Sequence, residues 1–129
     1  MADYARLYTK VWKTDFTDLT HGAQWLYWTL ISQPDISNCG VLALTRGRWA
    51  TLASDTDADS VQTFIDELAD ADKVIIDPRS EELWVRTYMR HDGLATMNPN
   101  GLKSVRRAAA EVLSPQLRER VANELATVV

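Results

Sequence analysis

Residues 45–89 read TRGRWATLASDTDADSVQTFIDELADADKVIIDPRSEELWVRTYM, and the order of elements in this stretch decides the fold. Thr45 is placed to cap a helix running to about Ala53, with Trp49, Leu52 and Ala53 facing inward. Ser54-Asp55-Thr56 makes a tight turn. A third helix of the chain, Asp57 to Asp72, carries Val61, Phe64, Ile65 and Leu68 on one face. Asp57 is the natural N-cap, and Asp59 lies in the first turn, where the helix dipole favours negative charge. Lys73 to Asp77 and Glu82 to Met89 read as strands joined by the tip Pro78-Arg79-Ser80-Glu81.

Helix, turn, helix and hairpin in that order form a winged helix-turn-helix, which normally sets its second helix in the DNA major groove and its hairpin on the backbone. The charge opposes that use. The helix in the recognition position bears Asp57, Asp59, Asp66, Glu67, Asp70 and Asp72 and neither Lys nor Arg. Its outer face, Asp59, Asp66, Glu67 and Asp70, should repel phosphates. The whole chain has a net charge of −4 and a pI near 5.1, which argues against sequence-blind nucleic-acid binding. From Arg90 onward the balance reverses, with Arg90, Lys103, Arg106, Arg107, Arg118 and Arg120 against Asp92, Glu111, Glu119 and Glu124.

Outward from the central stretch, Ala5 to Trp12 alternates. Leu7, Thr9 and Val11 fall on one side, and Arg6, Tyr8, Lys10 and Trp12 on the other, which predicts a strand. Trp84, Arg86, Tyr88 and Arg90 repeat this basic-aromatic pattern. If the two strands are neighbours, they form a stacking platform suited to single-stranded nucleic acid, unless the C-terminal helices cover it.

Thr20 caps a first helix from about His21 to Gln33, with a stripe of Leu19, Ala23, Leu26, Tyr27, Leu30 and Ile31. Trp25 and Trp28 lie off that stripe, so the helix is apolar nearly all round. Pro34 ends it, and Val41 to Leu44 is a short strand. His91-Asp92-Gly93 breaks the hairpin's second strand, and Asn98-Pro99-Asn100-Gly101 is a turn. Two helices follow, about Leu102 to Leu113 and Pro115 to the end. Ser114-Pro115 is an N-cap with proline at the first helical position. The predicted fold class is α+β, a winged helix-turn-helix with an extra N-terminal strand and two appended C-terminal helices. Residues 1–93 form the winged-helix core, and residues 94–129 a helical extension packed on the same domain.

Several function classes are excluded by what the chain lacks. Its 129 residues fit one domain. One cysteine, Cys39, allows no internal disulfide and no Cys/His zinc cluster. His21 and His91 stand in no triad or metal spacing, and the five glycines make no phosphate loop. No enzyme activity, metal or cofactor is expected. Met1-Ala2-Asp3-Tyr4 has no secretory pattern, and no apolar run nears the roughly 18 residues of a membrane span. A soluble cytoplasmic protein with no membrane partner is the expectation.

Several segments together resemble small winged-helix proteins of actinobacterial phages. They are Gly40-Val41-Leu42, Arg48-Trp49-Ala50-Thr51-Leu52-Ala53, Val85 to Gly93, Asn98-Pro99 and Leu113-Ser114-Pro115-Gln116-Leu117-Arg118. Arg6-Leu7-Tyr8 to Trp12 and Gly22-Ala23-Gln24 to Leu30 extend the likeness over nearly the whole chain. The resemblance implies a DNA-binding protein, similar to the domain that opens phage replisome organisers, whose further C-terminal domain loads helicase.

The leading expectation is therefore a phage-type protein of replication or transcription control whose partner is double-stranded DNA. Arg46, Arg48, Lys73, Arg79, Arg106 and Arg107 are the candidate phosphate contacts, and Ser60, Gln62 and Thr63 the candidate base readers. The alternative is a protein-interaction module docking on a basic host or phage protein or mimicking DNA. It would use Asp59, Asp66, Glu67 and Asp70, with Trp25 and Trp28 or the terminal helix supporting a homodimer.

Overall fold

The computed structural model describes residues 4–91 and 98–128. The expected boundary between residues 93 and 94 lies outside them, as does the break at Asp92-Gly93. Among the described residues the chain is α+β. Its helices are α1 (His21–Ile31), α2 (Arg46–Ala50), α3 (Ala58–Asp70), α4 (Tyr88–His91), α5 (Pro99–Ala110) and α6 (Pro115–Val128). Strands β1 (Val41–Ala43), β2 (Val74–Asp77) and β3 (Glu82–Val85) form an antiparallel sheet in the order β1-β3-β2. Val41 pairs with Trp84, and Ile75 pairs with the same residue from the other side.

The sheet is the middle of three layers, because β3 is buried on both faces. Leu42, Val74, Leu83 and Val85 point into one core with Leu26, Leu30, Trp49, Val61, Ile65 and Leu68, supplied by α1, α2 and α3. Trp84 points the opposite way, into a second core with Met89, Val105, Val112, Leu117 and Val121, supplied by α4, α5, α6 and the turn joining α5 to α6. Side chains alternate across a strand, so this one short strand serves both cores.

Sequence caps set the helix starts. The hydroxyl of Thr20 accepts from Ala23 N–H, and the Asp57 carboxylate accepts from Ser60 N–H at 2.8 Å. Asn98 accepts from Gly101 N–H, and Pro99 occupies the first turn, so α5 begins at Pro99 instead of the expected Leu102. Gly40 has φ +93°, and a Cβ there would meet Tyr88 Cβ at 2.5 Å, so both backbone and space require glycine.

The expected N-terminal strand is absent. Residues 9–13 and 15–18 are short 3₁₀ helices. Thr14 sets this local folding: its hydroxyl donates to Val11 C=O at 2.6 Å and accepts from Phe16 N–H. Phe16 then enters the first core. Alternation alone does not make a strand, since period two also describes a half-exposed segment that pairs with no neighbour. β3 likewise ends at Val85, and Tyr88 opens a helix, so the basic-aromatic sheet platform does not form. α2 is shorter than expected, and Leu52 is exposed in the turn after it.

Candidate nucleic-acid interface

The register places the hairpin tip beside the start of α2. Ala43 pairs with Glu82, and Leu44 N–H donates to Glu81 C=O at 2.8 Å. Arg79, at the tip, and Arg46, two residues beyond Leu44, therefore lie at the same end of the sheet. Arg79 is exposed, and its N–H donates to Asp77 at 2.9 Å, which shapes the tip. Foremost the Ser114 hydroxyl, then the Arg79 and Ser80 N–H groups, hold the Asp77 carboxyl below the usual carboxylate range.

From Arg46 a polar chain crosses to α3. Arg46 Nε donates to Gln62 Oε1, and Gln62 Nε2 donates to Asp66 Oδ1 at 2.8 Å. The guanidinium faces the α3 acids through one neutral amide. The start of α2 is thus linked to the outer face of α3, with the tip at the same end of the sheet and exposed Arg48 nearby in sequence.

The acids of α3 divide into three kinds. Asp57 is a cap, and the backbone N–H and hydroxyl of Ser60 hold its carboxyl below the usual range. Glu67 is turned away from the expected outer face toward α1. It accepts from Thr20 N–H and Thr20 Oγ1, both at 2.7 Å, because the start of that helix has unsatisfied donors within reach. Asp59, Asp66 and Asp70 remain exposed on the outer face.

The three candidate base readers have partners within the chain. Ser60 serves Asp57, Gln62 bridges Arg46 and Asp66, and the Thr63 hydroxyl donates to Asp59 C=O at 3.2 Å. Lys73 is taken up by Asp15 at 2.9 Å and is largely buried. Arg106 and Arg107 are exposed on α5, in the layer on the opposite face of the sheet from α3, so they are not part of the same surface.

Trp25 and Trp28 are half-buried by the chain itself. Trp25 meets Phe64 edge-on with centroids 6.4 Å apart, and Trp28 packs on Phe16 at 5.2 Å and on Tyr27 at 5.3 Å. Leu117, Val121 and Leu125 of α6 are buried. The apolar face of α6 is therefore occupied from within, while Trp25 and Trp28 stay partly exposed.

Sequence reading gave no role to Glu82, a buried carboxylate at the tip end of β3. Glu82 Oε2 accepts from Leu113 N–H at 2.9 Å, and Oε1 accepts from Ser114 N–H and the Ser80 hydroxyl, both at 2.7 Å. It fastens the α5–α6 corner to the sheet. Glu82 follows the polar residues Arg79-Ser80-Glu81 and precedes Leu83, so nothing in the sequence sets it apart from the exposed turn.

Arg86 and Arg90 also serve α6. Glu124 lies 3.7 Å from Arg86 and 2.6 Å from Arg90. Cys39 is buried beside Ser37, and burial pushes its thiol up, away from the reactive thiolate. Among the described residues no group of His, Cys, Asp or Glu is placed to hold a metal ion, and no helix is long and apolar enough to cross a membrane. No protein-family profile, curated protein or solved structure matches the chain.

Proposed function

We propose that the protein is a winged-helix DNA-binding protein of the actinobacterial-phage kind, acting in replication or transcription control in the cytoplasm of the host cell. The observation that carries this reading is the element order α1-β1-α2-α3-β2-β3 with sheet order β1-β3-β2. That topology is the one expected of a winged helix, with α3 as the groove-facing helix and residues 78–81 as the wing.

Electrostatics then defines how such a surface binds. With Glu67 withdrawn, Asp59, Asp66 and Asp70 and the tip's exposed Glu81 stand against Arg46, Arg48 and Arg79, a surface close to balance with a slight acidic excess. Binding rests on a few arginine–phosphate contacts. Base reading is limited, since Ser60, Gln62 and Thr63 must exchange existing partners to reach base edges.

The exposed row Asp59, Asp66 and Asp70 favours the second reading, a surface that docks on a basic protein. One variant separates the two. Changing all three to asparagine removes three repulsions and leaves the Thr20–Glu67 cap intact. For a DNA-binding surface the variant should hold duplex DNA more tightly, on the order of tenfold at low salt. For a protein-docking surface it should bind DNA no better and lose its basic partner. Fluorescence anisotropy with a labelled duplex reads the difference.

A further inference from the structure

The ten residues Tyr4 to Lys13 hold Arg6, Lys10 and Lys13 and no acid, in a chain whose net charge is −4. Among the described residues six large apolar side chains are exposed, and four of them lie here: Tyr4 at 73%, Leu7 at 59%, Trp12 at 53% and Tyr8 at 37%. Cations and aromatic faces concentrated together on the surface fit a ligand that is both anionic and aromatic.

The segment is held in place. Residues 9–13 form a 3₁₀ helix, and Trp12 rests edge-on against buried Phe16 with centroids 6.0 Å apart. This contact orients the indole while leaving it half exposed. Lys10 Nζ lies 5.8 Å from the Tyr8 ring centroid. A small cleft of about 160 Å³ runs beneath, lined by Tyr8, Lys10, Tyr27, Trp28, Lys73 and Thr87 among others. Tyr8 precedes the 3₁₀ helix and Trp12 lies within it, roughly 8 Å further along the axis and about a third of a turn round it, so a strand meeting both rings winds around the segment.

We propose that Tyr4 to Lys13 is a second nucleic-acid surface, which takes a single strand by stacking bases on Tyr8 and Trp12 while Lys10 and Lys13 meet its phosphates. Stacking of this kind tolerates any base sequence, because every base has a π-face. The surface shares no residue with α3 or the wing, so it stands or falls separately from duplex binding there.

The test is anisotropy of a labelled oligothymidylate of about a dozen nucleotides at about 50 mM salt, with oligouridylate in parallel to assign DNA or RNA as the preferred strand. Trp12→Ala should weaken binding about tenfold, and Trp12→Phe should restore most of it. Lys10→Gln with Lys13→Gln should lower the magnitude of the salt slope by about 1.4. These two lysines are exposed, so that variant keeps the fold even if Trp12→Ala disturbs it. Arg79→Ala should leave single-strand affinity unchanged. Absence of binding to both oligonucleotides, equal binding by the native, Trp12→Ala and double-lysine proteins, or a loss on Arg79→Ala matching that on Trp12→Ala would each overturn the proposal.

Discussion

Glu82→Ala should lower stability by about 3–5 kcal/mol, or on the order of 10–20 °C in melting temperature. Glu82 is 6% exposed, and its two oxygens satisfy the Leu113 and Ser114 N–H groups and the Ser80 hydroxyl. Alanine would leave these donors without an acceptor, Ser114 N–H in a fully buried position. Each buried unmet donor costs about 1–3 kcal/mol. Glu82→Gln should fall between, since its single carbonyl oxygen replaces one acceptor while its amide nitrogen sets a donor against another donor. Thermal unfolding followed by circular dichroism checks the series. A shift below about 3 °C for alanine would mean that the carboxylate does not hold the α5–α6 corner.

Trp84→Ala should cost about 3–5 kcal/mol, the usual range for emptying a buried aromatic site. Trp84 is 1% exposed and stands between the sheet and the C-terminal helices, with Nε1 donating to Cys39 C=O at 3.1 Å. The substitution opens a cavity and also orphans that carbonyl. Trp84→Phe keeps most of the bulk and loses the hydrogen bond, so its cost should be about 1–2 kcal/mol. The location of the damage is specific as well. Since Trp84 faces the second core, amide hydrogen exchange should rise most in α5 and α6 and least in α1 and α3. Equal deprotection of both layers would contradict the division of the interior by β3.

The sequence made the helical half of the fold legible. Thr20, Asp57 and Ser114 announced helix starts through short-range caps, and the stripes Val61-Ile65-Leu68 and Leu117-Val121-Leu125 announced buried faces. These signals are local, and local signals survive in a one-dimensional reading. Period two describes a half-exposed surface segment as well as a strand, and at the N-terminus the Thr14 hydroxyl bonds to Val11 and Phe16 turn the chain into 3₁₀ helices instead. β3 carried an alternating pattern to Arg90 but ended at Val85, where Arg86 turns to Asp72 and Glu124.

The site was less legible for the same reason. Glu67 meets Thr20 across 47 residues, Arg46 meets Gln62 across 16, and Lys73 meets Asp15 across 58. None of these pairings leaves a trace in spacing. They change which side chains the surface presents and leave its net charge as it was: one acid, Glu67, and one base, Lys73, are used elsewhere.

The most direct test of duplex recognition by α3 and the wing is a titration of labelled duplex DNA by anisotropy between about 50 and 200 mM salt. Three arginine–phosphate contacts, from Arg46, Arg48 and Arg79, predict a log–log slope of about −2.7 for the native protein. Arg79→Ala should reduce its magnitude by about 1 and weaken binding to every sequence alike, because a phosphate contact carries no base information. No duplex affinity at about 50 mM salt, or a slope that Arg79→Ala leaves unchanged, would contradict the account and favour the acidic surface as a docking site for a basic protein.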